Sequence, residues 1–271
     1  MRILLCTDGS TAAAKAARFG MMIARGSNEP IALLGVIEHR RDTERIRAAL
    51  ESLGAELQTI GAQCEVKVRH GHAAEQILSE AEAWPADLIV IGQLGERGLT
   101  RFFIGSTAMR IVQHASCSVL LVKGERPALR KILICTAGGD PGLRDVAMAG
   151  RVAEHVKASV TVLHVMSQVP LADNAYLPDL AATADDLIGR QTREGQHLRA
   201  ALEVLKPQVA VRAAIVRHGF VVDEILSELR KGSYDLLIVG AHIARGLTRW
   251  LLDDVTAHLL EEAPTPVLVV R

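Results

Sequence analysis

The residues best placed to do chemistry in this chain are Gly92-Gln93-Leu94-Gly95 and, after nine intervening positions, Gly105-Ser106. They directly follow the apolar run Asp87-Leu88-Ile89-Val90-Ile91. A strand ending at a glycine, a glycine-punctuated loop and a Gly-Ser opening a helix together make a phosphate cradle. Glycines let backbone N–H groups approach closely, and a helix N-terminus favours negative charge. The segment reads as a nucleotide-phosphate site. Near the other end of the chain, Gly240-Ala241-His242-Ile243 and then Asp253-Asp254 stand in the equivalent places with most of those features gone.

Other reactive side chains offer less. The loop is not Gly-x4-Gly-Lys-[Ser/Thr], and neither a convincing general base nor a Ser-His-Asp arrangement is visible, so efficient turnover is not expected and any ATP hydrolysis should be slow. Cys6, Cys64, Cys117 and Cys135 form no Cys-x-x-Cys pair and read as reduced, mostly buried thiols; redox sensing is the competing reading. His70-Gly71-His72 lacks a third nearby metal ligand and reads as loop, while His164 reads as a core histidine with its hydrogen bonds satisfied.

The chain has 271 residues, enough for two domains that each bury a core. No apolar run approaches the roughly 20 residues a membrane-spanning helix needs, so no membrane association is expected. Met1 to Cys6 reads as a first strand rather than a leader, because Asp8 and Lys15 interrupt it, and the expected location is the cytoplasm. Lysine plus arginine equals aspartate plus glutamate at 31 each, which argues against a nonspecific electrostatic grip on nucleic acid.

The elements that would position the glycine loop occur twice. Arg2-Ile-Leu-Leu-Cys-Thr7 matches Lys131-Ile-Leu-Ile-Cys-Thr136, Arg69-His70-Gly71 matches Arg217-His218-Gly219, and Arg97-Gly-Leu-Thr-Arg101 matches Arg245-Gly-Leu-Thr-Arg249. Ile77-Leu-Ser-Glu80 likewise matches Ile225-Leu-Ser-Glu228. The register shifts partway, which places an insertion in the second copy between Ser167 and about Thr183, with Pro170 and Pro178 in it. The copies are expected at 1–123 and 131–271. In the first, strands are predicted at about 2–7, 31–37, 64–69, 87–92 and 118–122, and helices at about 11–25, 42–61, 73–83 and 106–115. Strands apolar on both faces, alternating with amphipathic helices, mean a parallel sheet covered on both sides, hence a doubly wound α/β domain. Such sheets bind ligands beyond the carboxyl ends of their strands, where the winding reverses. Thr7-Asp8-Gly9-Ser10 and the Gly92 loop both sit at such ends.

Thr7-Asp8-Gly9-Ser10, the strand Leu33-Leu34-Gly35-Val36 and the Gly-x2-Gly-x9-Gly-[Ser/Thr] loop together resemble the universal stress protein family, over essentially the whole chain as a tandem. The resemblance implies five-stranded parallel sheets of order 3-2-1-4-5 and, in nucleotide-binding members, ATP at the switch point. Carried over, Asp8 would accept hydrogen bonds from the ribose, backbone near Thr7 and Val36 would meet the adenine, and Gly92, Gly95, Gly105, Ser106 and Thr107 would surround the triphosphate. A Mg ion bridged by the phosphates would accompany ATP, with no protein carboxylate cluster dedicated to it. Ser106 also reads as the N-cap of its own helix.

The second copy departs where it matters, with Ala137 in place of Asp8, Ile243 in place of the second glycine and Asp253-Asp254 in place of Gly-Ser. Two carboxylates at a helix N-terminus would repel a phosphate there. The Arg97–Arg101 segment survives in both copies, which favours packing or an interface over phosphate contact. The expected function is therefore a stress-response or signalling protein that binds an adenine nucleotide in its first half and acts on an unidentified protein partner. A ligand-independent interaction scaffold is the alternative. The apolar final strands, Ser118-Val-Leu-Leu-Val122 and Pro266-Val-Leu-Val-Val270, need covering, which points to an internal pseudo-dimer of the repeats, with further association of two chains into a homodimer left open.

Overall fold

Short apolar runs become the buried strands, and the amphipathic stretches between them cover both faces. The computed structural model describes residues 1–25, 29–93, 104–166, 182–241 and 254–271. The first repeat runs β1 (Ile3–Thr7), α1 (Thr11–Ala24), β2 (Ile31–Ile37), α2 (Thr43–Thr59), β3 (Cys64–His70), α3 (Ala73–Ala83), β4 (Leu88–Gly92), α4 (Ser106–His114) and β5 (Ser118–Val122). The second runs β6 (Lys131–Cys135), α5 (Gly139–Val156), β7 (Ser159–Met166), α6 (Ala184–Gly189), α7 (Arg193–Leu205), β8 (Val211–His218), α8 (Val221–Gly232), β9 (Leu236–Gly240), α9 (Asp254–Glu262) and β10 (Val267–Val270).

All ten strands lie in one sheet of order β3-β2-β1-β4-β5-β10-β9-β6-β7-β8. Each half has the order 3-2-1-4-5 and is parallel throughout. The halves join where β5 and β10 pair antiparallel, Val119 opposite Val269 and Leu121 opposite Val267. The apolar edges anticipated from the sequence thus cover each other. Val119, Leu120, Leu121, Val267 and Leu268 are completely buried, and burial of each such side chain contributes about 1.5–3 kcal/mol.

Two cores run the length of the sheet. On one face α1 and α2 continue into α5 and α7, through Phe19, Ile46, Leu53, Val146, Val152 and Leu198; on the other, α3 and α4 continue into α8 and α9, through Ile77, Ile111, Ile225 and Leu259. The outermost strand β3 carries Glu65, Lys67 and Arg69 among half-exposed valines, the charged pattern that keeps an edge strand from recruiting another chain.

Beyond the stretch where the sequence places the insertion of the second repeat, a helix begins. This helix, α6, is capped by Thr183: Thr183 Oγ1 accepts from Asp186 N–H while the Asp186 carboxylate accepts from Thr183 N–H. The change of register counts the extra residues but does not say where they sit. Pro170 and Pro178 lie outside the described residues.

Candidate functional site

β1 is flanked by β2 on one side and β4 on the other. Chains leaving β1 and β4 turn to opposite faces, opening a crevice at their carboxyl ends. Thr7, Asp8, Val36, Gly92 and Thr107 line one cleft there, of about 170 Å³. Gly105 and Ser106 stand at the N-terminus of α4 and are not among its lining, and Gly95 lies outside the described residues. So do Arg97, Arg101 and Ile243.

The loop after β1 is fixed by its own side chains. Gly9 N–H donates to Thr7 Oγ1 at 3.1 Å, Ser10 N–H to Asp8 Oδ1 at 2.9 Å, and Ala13 N–H to Ser10 Oγ at 3.1 Å. Asp8 therefore makes an Asx turn and still has acceptor capacity on its second oxygen. Gly9 holds φ +79°, and a Cβ there would stand 2.9 Å from Arg45 Cγ and 3.0 Å from Arg45 O. Both the conformation and the approach of α2 demand glycine.

Two sequence readings change in detail. Gly92 is needed because the first turn of α1 sits on the end of β4: a Cβ there would lie 2.9 Å from Ala12 O, so packing requires this glycine before any phosphate does. The N-cap of α4 is Gly105, with no side-chain cap, and Ser106 is the first helical residue. Ser106 is thus not the N-cap. Among the described residues, α4 has neither a capping side-chain oxygen nor a first-turn acid, an arrangement that suits an anion at its leading N–H groups.

Sequence reasoning missed the rim. Glu38, Asp42 and Arg45 also line the cleft. Arg45 pairs with Asp42 at 3.1 Å, and Glu38 Oε1 accepts from Ala73 N–H at 2.6 Å, tying the end of β2 to the start of α3. Three carboxylates against one guanidinium suit the hydroxyl and amine donors of a nucleoside better than its phosphates. The spacing of these residues carries no motif; only the fold brings them together. Cys6, also in the lining, has a thiol pushed far up by burial. Among the described residues no group of three or more His, Cys, Asp or Glu could hold a metal ion.

The second repeat forms the equivalent cleft, of about 220 Å³, lined by Thr136, Ala137, Val165, Gly240 and Val255 among others. Ala137 stands where Asp8 does and Val255 where Thr107 does. Asp254 opens α9 and puts a negative charge in its first turn. On the opposite face, His164 is buried with Nδ1 2.8 Å from Thr136 O, the core role the sequence suggests, and His197 Nε2 lies 2.7 Å from Thr136 Oγ1. Burial lowers the His197 pKa, with the neighbouring His164 adding to the effect.

Sheet order, repeat and paired clefts define a tandem of two doubly wound α/β domains with one candidate ligand site at each switch point. The chain belongs to the universal stress protein family, whose family model matches residues 1–123 and 128–271. Universal stress protein Sll1388 of Synechocystis is 36% identical over 87 residues, spanning 32% of this chain and 56% of that protein. A universal stress protein of Mycolicibacterium smegmatis is 25% identical over 221 residues, 79% of this chain and 71% of its own length. In fold, the chain is similar to a universal stress protein from Archaeoglobus fulgidus, with a TM-score of 0.73 at 16% identity, covering 100% of this chain and 98% of that one. No helix among the described residues is long and apolar enough to cross a membrane.

Proposed function

We propose that the N-terminal cleft binds an adenine nucleotide, ATP or a close relative, and that the chain serves a stress response by presenting nucleotide-dependent surface to a protein partner in the cytoplasm. One observation carries the reading: Thr7, Asp8, Val36, Gly92 and Thr107, chosen from the sequence, converge on one cleft at the switch point. In this reading the base lies against Val36 and the backbone of Thr7, and the ribose hydroxyls donate to Asp8. The phosphates lie at the uncapped start of α4, with Gly95, Gly105 and Ser106. A Mg ion, where present, is held by the phosphates.

Among the described lining residues, Asp8, Glu38 and Asp42 already hold Ser10 N–H, Ala73 N–H and Arg45 in turn, which favours binding over turnover as the role proposed. The C-terminal cleft, with Ala137, Val255 and Asp254, supports no nucleotide in the same pose. The thiol-sensor alternative is disfavoured because burial raises the pKa of Cys6, Cys64, Cys117 and Cys135 alike. Titration calorimetry of ATP into the full chain and into Asp8→Ala tests the proposal. Loss of about tenfold or more in affinity, the worth of a charge-assisted hydrogen bond, supports it; unchanged affinity overturns the site.

A further inference from the structure

We propose that the C-terminal cleft is a second ligand site, for a small neutral apolar molecule of about the size of a bicyclic aromatic. The inference does not depend on nucleotide binding in the N-terminal cleft. The two clefts occupy the same place in the two repeats, yet their linings diverge in one direction. Asp8 becomes Ala137, Ala73 becomes Val221 and Thr107 becomes Val255. Among the described residues, no Asp, Glu, Lys, Arg or His lines the C-terminal cleft, against four charged residues in the first.

Its hydroxyls are already engaged. Thr136 Oγ1 is 2.7 Å from His197 Nε2, and Thr256 Oγ1 donates to Gly240 O at 3.4 Å. The described lining is mainly apolar, chiefly Val165, Val221, Ile225, Val239, Val255 and Leu259. At about 220 Å³ the space exceeds the roughly 150 Å³ of apolar cavities that stay dry and accept benzene.

Two further features set the chemistry of the occupant. Phe220, immediately before the lining residue Val221, is 82% exposed, an apolar ring held in water beside an apolar cleft. The first repeat has His72 at that position. Asp254, at the start of α9, repels an anion at the end where the first repeat would take phosphate. A neutral molecule that fills the cleft and extends onto Phe220 satisfies both.

Methyl-labelled full-length chain titrated with indole tests this by NMR. Indole should shift the methyls of Val165, Val221, Ile225 and Leu259, and saturating ATP should leave those shifts in place. Ala137→Trp, at an exposed lining position, should fill the mouth and abolish them. Phe220→Ser, a surface change that leaves the core intact, should weaken binding about threefold or more. Absence of shifts at these methyls overturns the proposal. So do shifts that survive both substitutions, and equal shifts with AMP, which would remove the requirement for a neutral ligand.

Discussion

Lys123 and Arg271 hold each other's helices: each follows the last strand of its own repeat and closes the last helix of the other. Lys123 Nζ donates to Glu261 O at 2.9 Å and Ala263 O at 3.1 Å, at the end of α9. Arg271 Nη2 donates to Val112 O and, at 3.0 Å, to Gln113 O, at the end of α4. Cations at helix C-termini satisfy carbonyls that the helix leaves free and oppose its dipole. Since Thr107 in the first turn of α4 lines the N-terminal cleft, one helix joins that cleft to a residue of the second repeat.

Burial depresses the Lys123 pKa to about 8, against which Glu261 acts weakly in the other direction. Between about pH 8 and 10.5 the unfolded chain binds this proton and the folded chain does not, so the lysine makes stability rise with pH across that window. Below pH 8 both states are charged and its contribution is flat. Denaturant titrations of wild type and Lys123→Met at pH 7.5, 9 and 10 should show their stability difference shifting in favour of wild type as pH rises. A difference independent of pH would refute the assignment.

Glu80, 3% exposed, is paired with Lys67 at 2.9 Å and Arg69 at 2.6 Å, and pins the edge strand β3 to α3. The second repeat keeps the device with one partner exchanged: Arg217 pairs with Glu228 at 2.9 Å, and Tyr234 donates to the other carboxylate oxygen at 3.0 Å. The carboxylate is the buried member, so removing its partners strands a charge, whereas neutralising it releases Arg69, which already reaches solvent, and Lys67, which keeps Glu65 as a partner. Lys67→Met with Arg69→Met should therefore cost about 3 kcal/mol, more than Glu80→Gln, which keeps the shape. Urea midpoints of the variants decide the order, and equal losses would contradict it.

That pair also marks what a sequence can yield. Arg69/Arg217 and Glu80/Glu228 are visible as self-similarity, but only the fold shows that each arginine meets its own glutamate across strand and helix. The strands are legible because Leu88 to Ile91 and Val119 to Val122 are apolar at every position, as a strand covered on both faces must be. Asp8 and Thr7 are legible because they close a strand and precede a Gly-Ser turn. Glu38, Asp42 and Arg45 are not, since their meeting depends on how the β2–α2 connection folds over the cleft. Gly92 is legible as a glycine but not for its reason, because the carbonyl of Ala12 reaches it only when α1 docks.

Gly9→Ala should destabilise the chain by about 1–3 kcal/mol, combining a left-handed backbone with a Cβ pressed on the Arg45 backbone. The same change should displace Asp8, whose turn depends on the Ser10 N–H bond, and so weaken ATP binding beyond what stability explains. Gly61, at φ +74° with nothing within 4 Å of its added Cβ, is the control: Gly61→Ala should show backbone strain with no change in ATP affinity. Calorimetry on the folded variants separates the two.

Thiol chemistry gives the last test, because it discriminates binding from redox sensing. Burial pushes Cys117 up to about 11 and Cys6 and Cys135 further, and half-buried Cys64 is raised as well. The thiolate is the reactive form, so at pH 7.5 well under 1% of Cys117 is competent, by the tenfold per unit that titration imposes. The native chain should react with a chromogenic disulfide far more slowly than a free thiol, and all four cysteines should react once guanidinium unfolds it. Cys6 and Cys135 form part of the walls of the two clefts, so a bound ligand should slow whatever residual labelling they show. Rapid labelling of Cys6 in the native chain would instead revive the redox reading, since it would require a thiolate that burial in this fold opposes.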